Sequence, residues 1–295
     1  MMLFTSRSFI LKFYPNRNFN HLKIYNRFSS STTITASPAS IDKEEKVKVG
    51  QWNINYLKIG NGPHNVLCLP GALGSIWTDF KPQIEGFDRE KFTLIVWDPP
   101  GYGKSRPPDK DFALDFYDKD AVAAHDFMRV LDLPKYSLLG WSDGGITGMI
   151  LAAKYPSVMN KLVVWGANAF MLPRELEAIQ KTKDINTWSQ RMKQPMIDVY
   201  GEEFFAKYWS KWTESMTKVF QANDGNICSH ILKDIKCQTM ILYGEKDPLV
   251  DTIHASHLHT NIQGSRLHLY PEGKHNIHLR YAEDFNRKVQ EFLLL

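Results

Sequence analysis

Gly140-Trp141-Ser142-Asp143-Gly144-Gly145 is the stretch on which the reading of this chain turns. A short apolar run, Tyr136-Ser137-Leu138-Leu139, precedes it, and a segment of small and apolar residues, Ile146 through Lys154, follows. Strand, sharp turn, serine, helix is the context in which Gly-x-Ser-x-Gly forms a nucleophile elbow. Such a serine occupies a strained backbone position, so the glycines flanking it remove Cβ atoms that would collide. The helix that follows directs its first amide N–H groups and its positive dipole end at any anion formed there. Taken alone, the same string also fits an ordinary strand-to-helix turn with a serine N-cap.

Working outward, the body alternates strands and helices. Lys46 to Ile59 reads as two edge strands with a turn near Gly50-Gln51, with Val47, Val49, Ile54 and Tyr56 facing inward. Val66–Leu69, Phe92–Trp97, Lys161–Trp165 and Thr239–Tyr243 are continuous apolar runs, as expected of parallel strands buried on both faces. Helical patterns at Trp77–Ile84 and Asp118–Leu131 separate the earlier ones, and Ser265–Leu269 and Ala282–Leu293 supply a last strand and a last helix. This alternation predicts an α/β fold with a mostly parallel, doubly wound sheet. The rhythm breaks between about 169 and 236, where aromatic residues among many charges, Trp188, Phe204, Tyr208 and Trp212 included, predict an amphipathic helical cap insertion. The domain is expected to run from 42 to 295.

Residues 1–41 differ in kind. Arg7, Lys12, Arg17, Lys23 and Arg27 occur with no acidic residue before Asp42, among many Ser, Thr and Asn, and Phe4, Phe9, Leu11 and Phe13 can share one helix side. This is the composition of an organelle targeting segment. Mitochondrial localisation is the expectation, with a cytoplasmic protein carrying a flexible tail as the alternative. Setting this segment aside leaves a nearly neutral body, so no nucleic-acid or anionic-membrane partner is implied. No apolar run approaches the ~20 residues of a membrane span. The three cysteines, Cys68, Cys228 and Cys237, make neither a metal-type spacing nor a disulfide framework. A monomer acting on a small molecule, without metal or cofactor, is expected.

A serine hydroxyl needs a base, and the base an orienting acid. Serine-first elbows place the acid and then the histidine in loops after later strands. Gly244-Glu245-Lys246-Asp247-Pro248 follows the Thr239–Tyr243 run, and Pro271-Glu272-Gly273-Lys274-His275 follows the final one. The expected set is therefore Ser142, Asp247 and His275. Competitors are His278 for the base and Asp251 or Glu245 for the acid. His254, His257 and His259 cluster on one helical stretch and are expected to be solvated rather than metal-binding. The oxyanion needs two backbone donors: the N–H of Asp143 and, in the loop after Val66–Leu69, that of Leu73 or else Ala72. Gly103-Lys104-Ser105 looks like the tail of a phosphate-binding loop, but Asp98 stands where its first glycine belongs and Arg106-Pro107-Pro108 cannot open the required helix. That loop is read as a brace for the sheet edge.

Together, the Asp98…Gly101-Tyr102-Gly103-x-Ser105 loop, the elbow and the late Asp and His loops resemble the α/β-hydrolases over about residues 45–295. More narrowly, Leu69-Pro70-Gly71, Gly140 through Thr147, Trp165-Gly166-Ala167-Asn168-Ala169, Asp224-Gly225-Asn226-Ile227-Cys228, Gly244 through Val250 and Pro271 through Asn276 resemble the biphenyl hydrolase-like branch of that family. Pro100 departs from it, where arginine is common. The resemblance implies a serine hydrolase of α-amino acid esters, amino-acid ester prodrugs included, in which the carboxylate at the position of Asp143 binds the substrate's α-ammonium group. Read from the residue alone, Asp143 is equally a first-turn helix stabiliser, while a partly desolvated carboxylate there attracts a cationic amine. Carbon–carbon bond cleavage, hydrolysis of other esters or lactones, and ligand binding without turnover on a hydrolase scaffold are the alternatives.

Overall fold

A computed structural model describes residues 43–295; the expected targeting segment lies outside the described residues. Eight strands form one sheet: β1 (Glu45–Val49), β2 (Trp52–Ile59), β3 (His64–Leu69), β4 (Phe92–Trp97), β5 (Tyr136–Trp141), β6 (Met159–Trp165), β7 (Gln238–Gly244) and β8 (Arg266–Tyr270). Their order across the sheet is β1-β2-β4-β3-β5-β6-β7-β8. The β1–β2 and β2–β4 pairs are antiparallel, and every other pair is parallel.

The apolar strands alternate between two cores. Leu67, Leu69, Leu162 and Val164 face one of them, and Val66, Cys68, Val163 and Trp165 the other. On the first side lie α3 (Phe116–Val130) and α4 (Asp143–Lys154), through Phe127, Met149 and their neighbours. On the second lie α1 (Ile76–Asp79), α2 (Lys81–Gly86), α9 (Ile277–Arg280) and α10 (Ala282–Leu294), through Phe80, Ile84, Phe285 and Phe292. A fully buried side chain of this size contributes about 1.5–3 kcal/mol, so a strand that buries every residue, as β4 does, is held from both faces.

The expected helix over Trp77–Ile84 is two short ones. They part at Phe80, and Pro82 sits in the first turn of the second, where its missing N–H costs nothing. The elbow strand runs two residues beyond its apolar run, to Trp141, and the elbow helix begins at Asp143, the residue expected in its first turn. The segment between β6 and β7 is helical as expected: α5 (Pro173–Lys181), α6 (Gln190–Tyr200) and the long α7 (Glu202–Asn223). One isolated bridge, Phe170 to Asn226, closes its base. The remaining helix, α8 (Ile253–Asn261), leads into β8.

Candidate active site

The C-terminal ends of β3, β5, β7 and β8 lie on one edge of the sheet, so the loops that follow them converge there. Ser142 sits between β5 and α4 with φ 53° and ψ −121°, a conformation rare for a residue with a Cβ. Its flanking glycines have no room for side chains. A Cβ on Gly140 would lie 2.6 Å from the Gly144 carbonyl oxygen, and one on Gly144 only 2.0 Å from that of Leu69.

The structure brings Ser142, His275 and Asp247 together. His275 Nε2 lies 3.1 Å from Ser142 Oγ, and His275 Nδ1 lies 2.8 Å from Asp247 Oδ2. A carboxylate only accepts, so the Asp247 contact places the ring proton on Nδ1 and leaves Nε2 to accept from the serine. Asp247 is itself oriented: its Oδ1 accepts from the N–H groups of Leu249 and Val250 at 2.9 and 3.1 Å. The Trp141 indole N–H donates to the His275 carbonyl at 3.0 Å, tying the histidine loop to the elbow strand.

The competing residues stand elsewhere. His278 is fully buried, takes the Trp165 indole N–H on Nδ1 and gives its Nε2–H to the Asp79 carbonyl; burial pushes its pKa down to about 3. Glu245 is exposed, and Asp251 pairs with Arg174. Of the α8 histidines, His259 is exposed as expected and His257 is half-buried, while His254 corrects the expectation of a solvated cluster. His254 is fully buried, with Nε2 at 2.8 and 2.9 Å from the two carboxylate oxygens of Glu175, while His257 meets Ser229 and His259 meets Ser265. His254, Ala255 and Leu258 form the buried face of α8, and the three rings hydrogen-bond to three different partners. Among the described residues no group of His, Cys, Asp and Glu is arranged to hold a metal ion.

Leu73, in the loop after β3, is fully buried and left-handed at φ 55°. The loop is closed by a Gly74 N–H to Gly71 carbonyl bond of 3.0 Å and anchored by the Asp79 carboxylate, which accepts from the Gly71 N–H at 2.8 Å. It abuts the elbow: a Cβ on Gly71 would lie 3.4 Å from that of Ser142. The Asp143 N–H opens α4, where helix geometry supplies no internal partner. The loop from Asp98 to Ser105 braces the sheet edge. The Asp98 carboxylate accepts from the N–H groups of Ile76 and Lys104 and from the Asn55 amide, and Ser105 Oγ donates to the Asp98 carbonyl.

Asp143 is buried, and both carboxylate oxygens are engaged. Oδ1 accepts from the Tyr117 hydroxyl at 2.9 Å, and Oδ2 from the Trp212 indole N–H at 2.8 Å. Burial raises its pKa to about 6, and these two donors hold it from rising further. It borders a small cavity with Asp120, whose carboxylate is paired with Lys110 inside the protein. Neither contact is signalled in the sequence: Trp212 stands only as one aromatic residue among many in the insertion, and Tyr117 lies in α3, outside it.

Residues 64–195 match the family model of the alpha/beta hydrolase fold. The chain is 48% identical to mouse serine hydrolase BPHL over 248 residues, which is 84% of this chain and 85% of that one. It is 27% identical, over 88% of its length and 97% of the relative's, to the 2-hydroxy-6-oxononadienedioate/2-hydroxy-6-oxononatrienedioate hydrolase of Escherichia coli K12. Among solved structures, the meta-cleavage product hydrolase of Pseudomonas fluorescens IP01 superposes with a TM-score of 0.70 at 18% identity, covering 84% of this chain and 96% of that one, a likeness of fold. With an elbow serine, a histidine and a carboxylate in hydrogen-bonded series on this sheet, and nearly half its residues shared with a serine hydrolase along most of its length, the chain belongs to the BPHL branch of the α/β-hydrolase family.

Proposed function

We propose that the protein hydrolyses α-amino acid esters through an acyl-enzyme formed on Ser142. His275 takes the Ser142 proton as the oxygen attacks the ester carbonyl, and Asp247 stabilises the imidazolium and holds its tautomer. The N–H groups of Leu73 and Asp143 hold the oxyanion. His275 then gives the proton to the departing alcohol, and water releases the amino acid by the same steps in reverse order.

The observation that carries the choice of substrate is the Asp143 carboxylate, buried next to the nucleophile on two neutral donors and, among the described residues, with no cation bonded to it. Deionising it costs less than in water, yet with a pKa of about 6 it is mostly charged at neutral pH. A substrate ammonium placed beside the scissile carbonyl supplies the missing counter-charge. Carbon–carbon hydrolysis, the chemistry of the E. coli relative, is the second reading. A dioate, the substrate class in that relative's name, would bring negative charge toward Asp143, which disfavours it.

A panel of α-amino, neutral and anionic esters of one chromogenic alcohol tests the proposal. The α-amino esters should lead in kcat/KM with a burst of alcohol release, and Ser142→Ala should remove turnover while leaving the melting temperature in place. Equal rates across the panel contradict the amine assignment, and retained turnover in Ser142→Ala contradicts the nucleophile. We also propose mitochondrial import, on the basic, acid-free composition of residues 1–41. A reporter fused after residue 41 that stays in the cytosol contradicts it.

A further inference from the structure

Tyr200 is the last residue of α6, in the insertion, yet its hydroxyl reaches the loop after β3. It donates to the Leu73 carbonyl at 2.7 Å and accepts from the Gly103 N–H at 2.9 Å. The residue is buried, and both hydrogen-bonding roles of the hydroxyl are used. Gly201, at φ 75°, ends the helix directly afterwards and turns the chain into α7.

The carbonyl that Tyr200 holds belongs to the residue whose N–H faces the oxyanion under the proposed mechanism. Leu73 carries a left-handed φ of 55° with a full side chain, a conformation costing roughly 1–2 kcal/mol and kept only where surroundings enforce it. The enforcing contacts are three. Asp79 holds the Gly71 N–H, the Gly74 N–H closes onto the Gly71 carbonyl, and Tyr200 holds the Leu73 carbonyl. The first two come from the loop and its own helix. Only the third comes from the helical insertion. Holding the carbonyl restrains ψ of Leu73, which together with φ sets the angle between the two peptide planes that meet at its Cα.

We propose that Tyr200 is a positioning residue of the oxyanion hole, through which the seating of the helical insertion sets the geometry of the Leu73 N–H. The insertion then does more than cover the site. When α6 is displaced, the Leu73 carbonyl loses its donor and the strained turn is free to relax, so the oxyanion hole is complete only with the insertion seated. This rests on the assignment of Leu73 as an oxyanion donor, and it is independent of which acyl group is cleaved.

Tyr200→Phe removes the hydroxyl and leaves the ring against Phe204 and Tyr208. Phe204→Leu is the control. It trims the ring that stacks on Tyr200 and lies under Arg106, and leaves the insertion seated with the Tyr200 hydroxyl on both its partners. Rates are measured on a neutral activated ester, per site titrated to completion with a fluorophosphonate, beside melting temperatures. Loss of an oxyanion donor itself costs about 100–1,000-fold in kcat. For a residue that positions one, Tyr200→Phe should lower kcat about 10–100-fold, with KM within about twofold. Affinity for a boronic acid that mimics the tetrahedral intermediate should fall by the same factor as kcat/KM. Phe204→Leu should leave kcat and boronate affinity unchanged. Unchanged kcat and boronate affinity in Tyr200→Phe, or an equal loss in Phe204→Leu, overturns the proposal. Wild-type protein that the fluorophosphonate does not label would instead overturn the nucleophile assignment.

Discussion

The Trp212 indole N–H donates to Asp143 Oδ2 at 2.8 Å, joining the carboxylate beside the nucleophile to the longest helix of the insertion. Trp212 stacks on Trp209, whose own indole N–H is held by Thr182, so the donor is fixed from behind. The insertion therefore takes part in setting the charge of the site.

Trp212→Phe keeps most of the ring and removes that donor. Asp143 then loses a contact that lowers its pKa, and its carboxylate ionises less readily. At pH 7 we expect kcat/KM for α-amino esters to fall about 3–10-fold, the equivalent of roughly 0.7–1.4 kcal/mol. Neutral esters of the same alcohol should change by less than twofold. Parallel losses on both would assign Trp212 to packing alone.

The pH dependence follows from the same group. Asp143 has its pKa raised to about 6, so it is charged above that pH and protonated below it. The ratio of kcat/KM for an α-amino ester to that for its neutral analogue cancels what His275 contributes to both. That ratio should rise as pH increases through about 6. It should fall again where the substrate's amine loses its proton, near the ordinary α-amino range of roughly 7.7–8.0. A ratio flat from pH 5 to 7 would mean that Asp143 does not hold the amine.

Glu175 and His254 form a buried pair that fastens the start of α5 to α8, and Glu175 also accepts from the N–H groups of Leu172 and Asp251. Removing one partner of such a pair costs about 3–5 kcal/mol. Glu175→Ala should lower stability by about that much in urea titrations, with Glu175→Gln milder because one oxygen can still accept. A cost below about 1 kcal/mol for the alanine variant would show that the pair is not a structural tie.

The elbow and its two later loops are legible in sequence because each is a local string: glycines that only a tight turn needs, and an acid and a histidine a few residues past an apolar strand. The sheet is legible for the same reason, since β3, β4 and β6 are apolar on both faces. What stayed hidden depends on distance along the chain. Glu175 lies 79 residues from His254, Tyr117 26 residues from Asp143, Trp212 69 residues from it, and Tyr200 127 residues from Leu73. No periodicity connects such pairs. A histidine-rich helix such as α8 reads as solvated until the fold supplies a buried carboxylate for His254. The break of the expected helix at Phe80 was within reach, since Pro82 belongs in a first turn.

The central claim is that Asp143 selects substrates by their α-ammonium group, and Asp143→Asn tests it most directly. The amide fills the same space and keeps an acceptor but carries no charge. We measure kcat/KM for a phenylalanine ester and for the 3-phenylpropionate ester of the same alcohol, which differs only in lacking the amine. A desolvated ammonium–carboxylate contact predicts that the variant loses about 100-fold or more on the phenylalanine ester and less than about threefold on the other. Equal losses on the two esters would contradict the account and leave Asp143 as a support for the elbow helix.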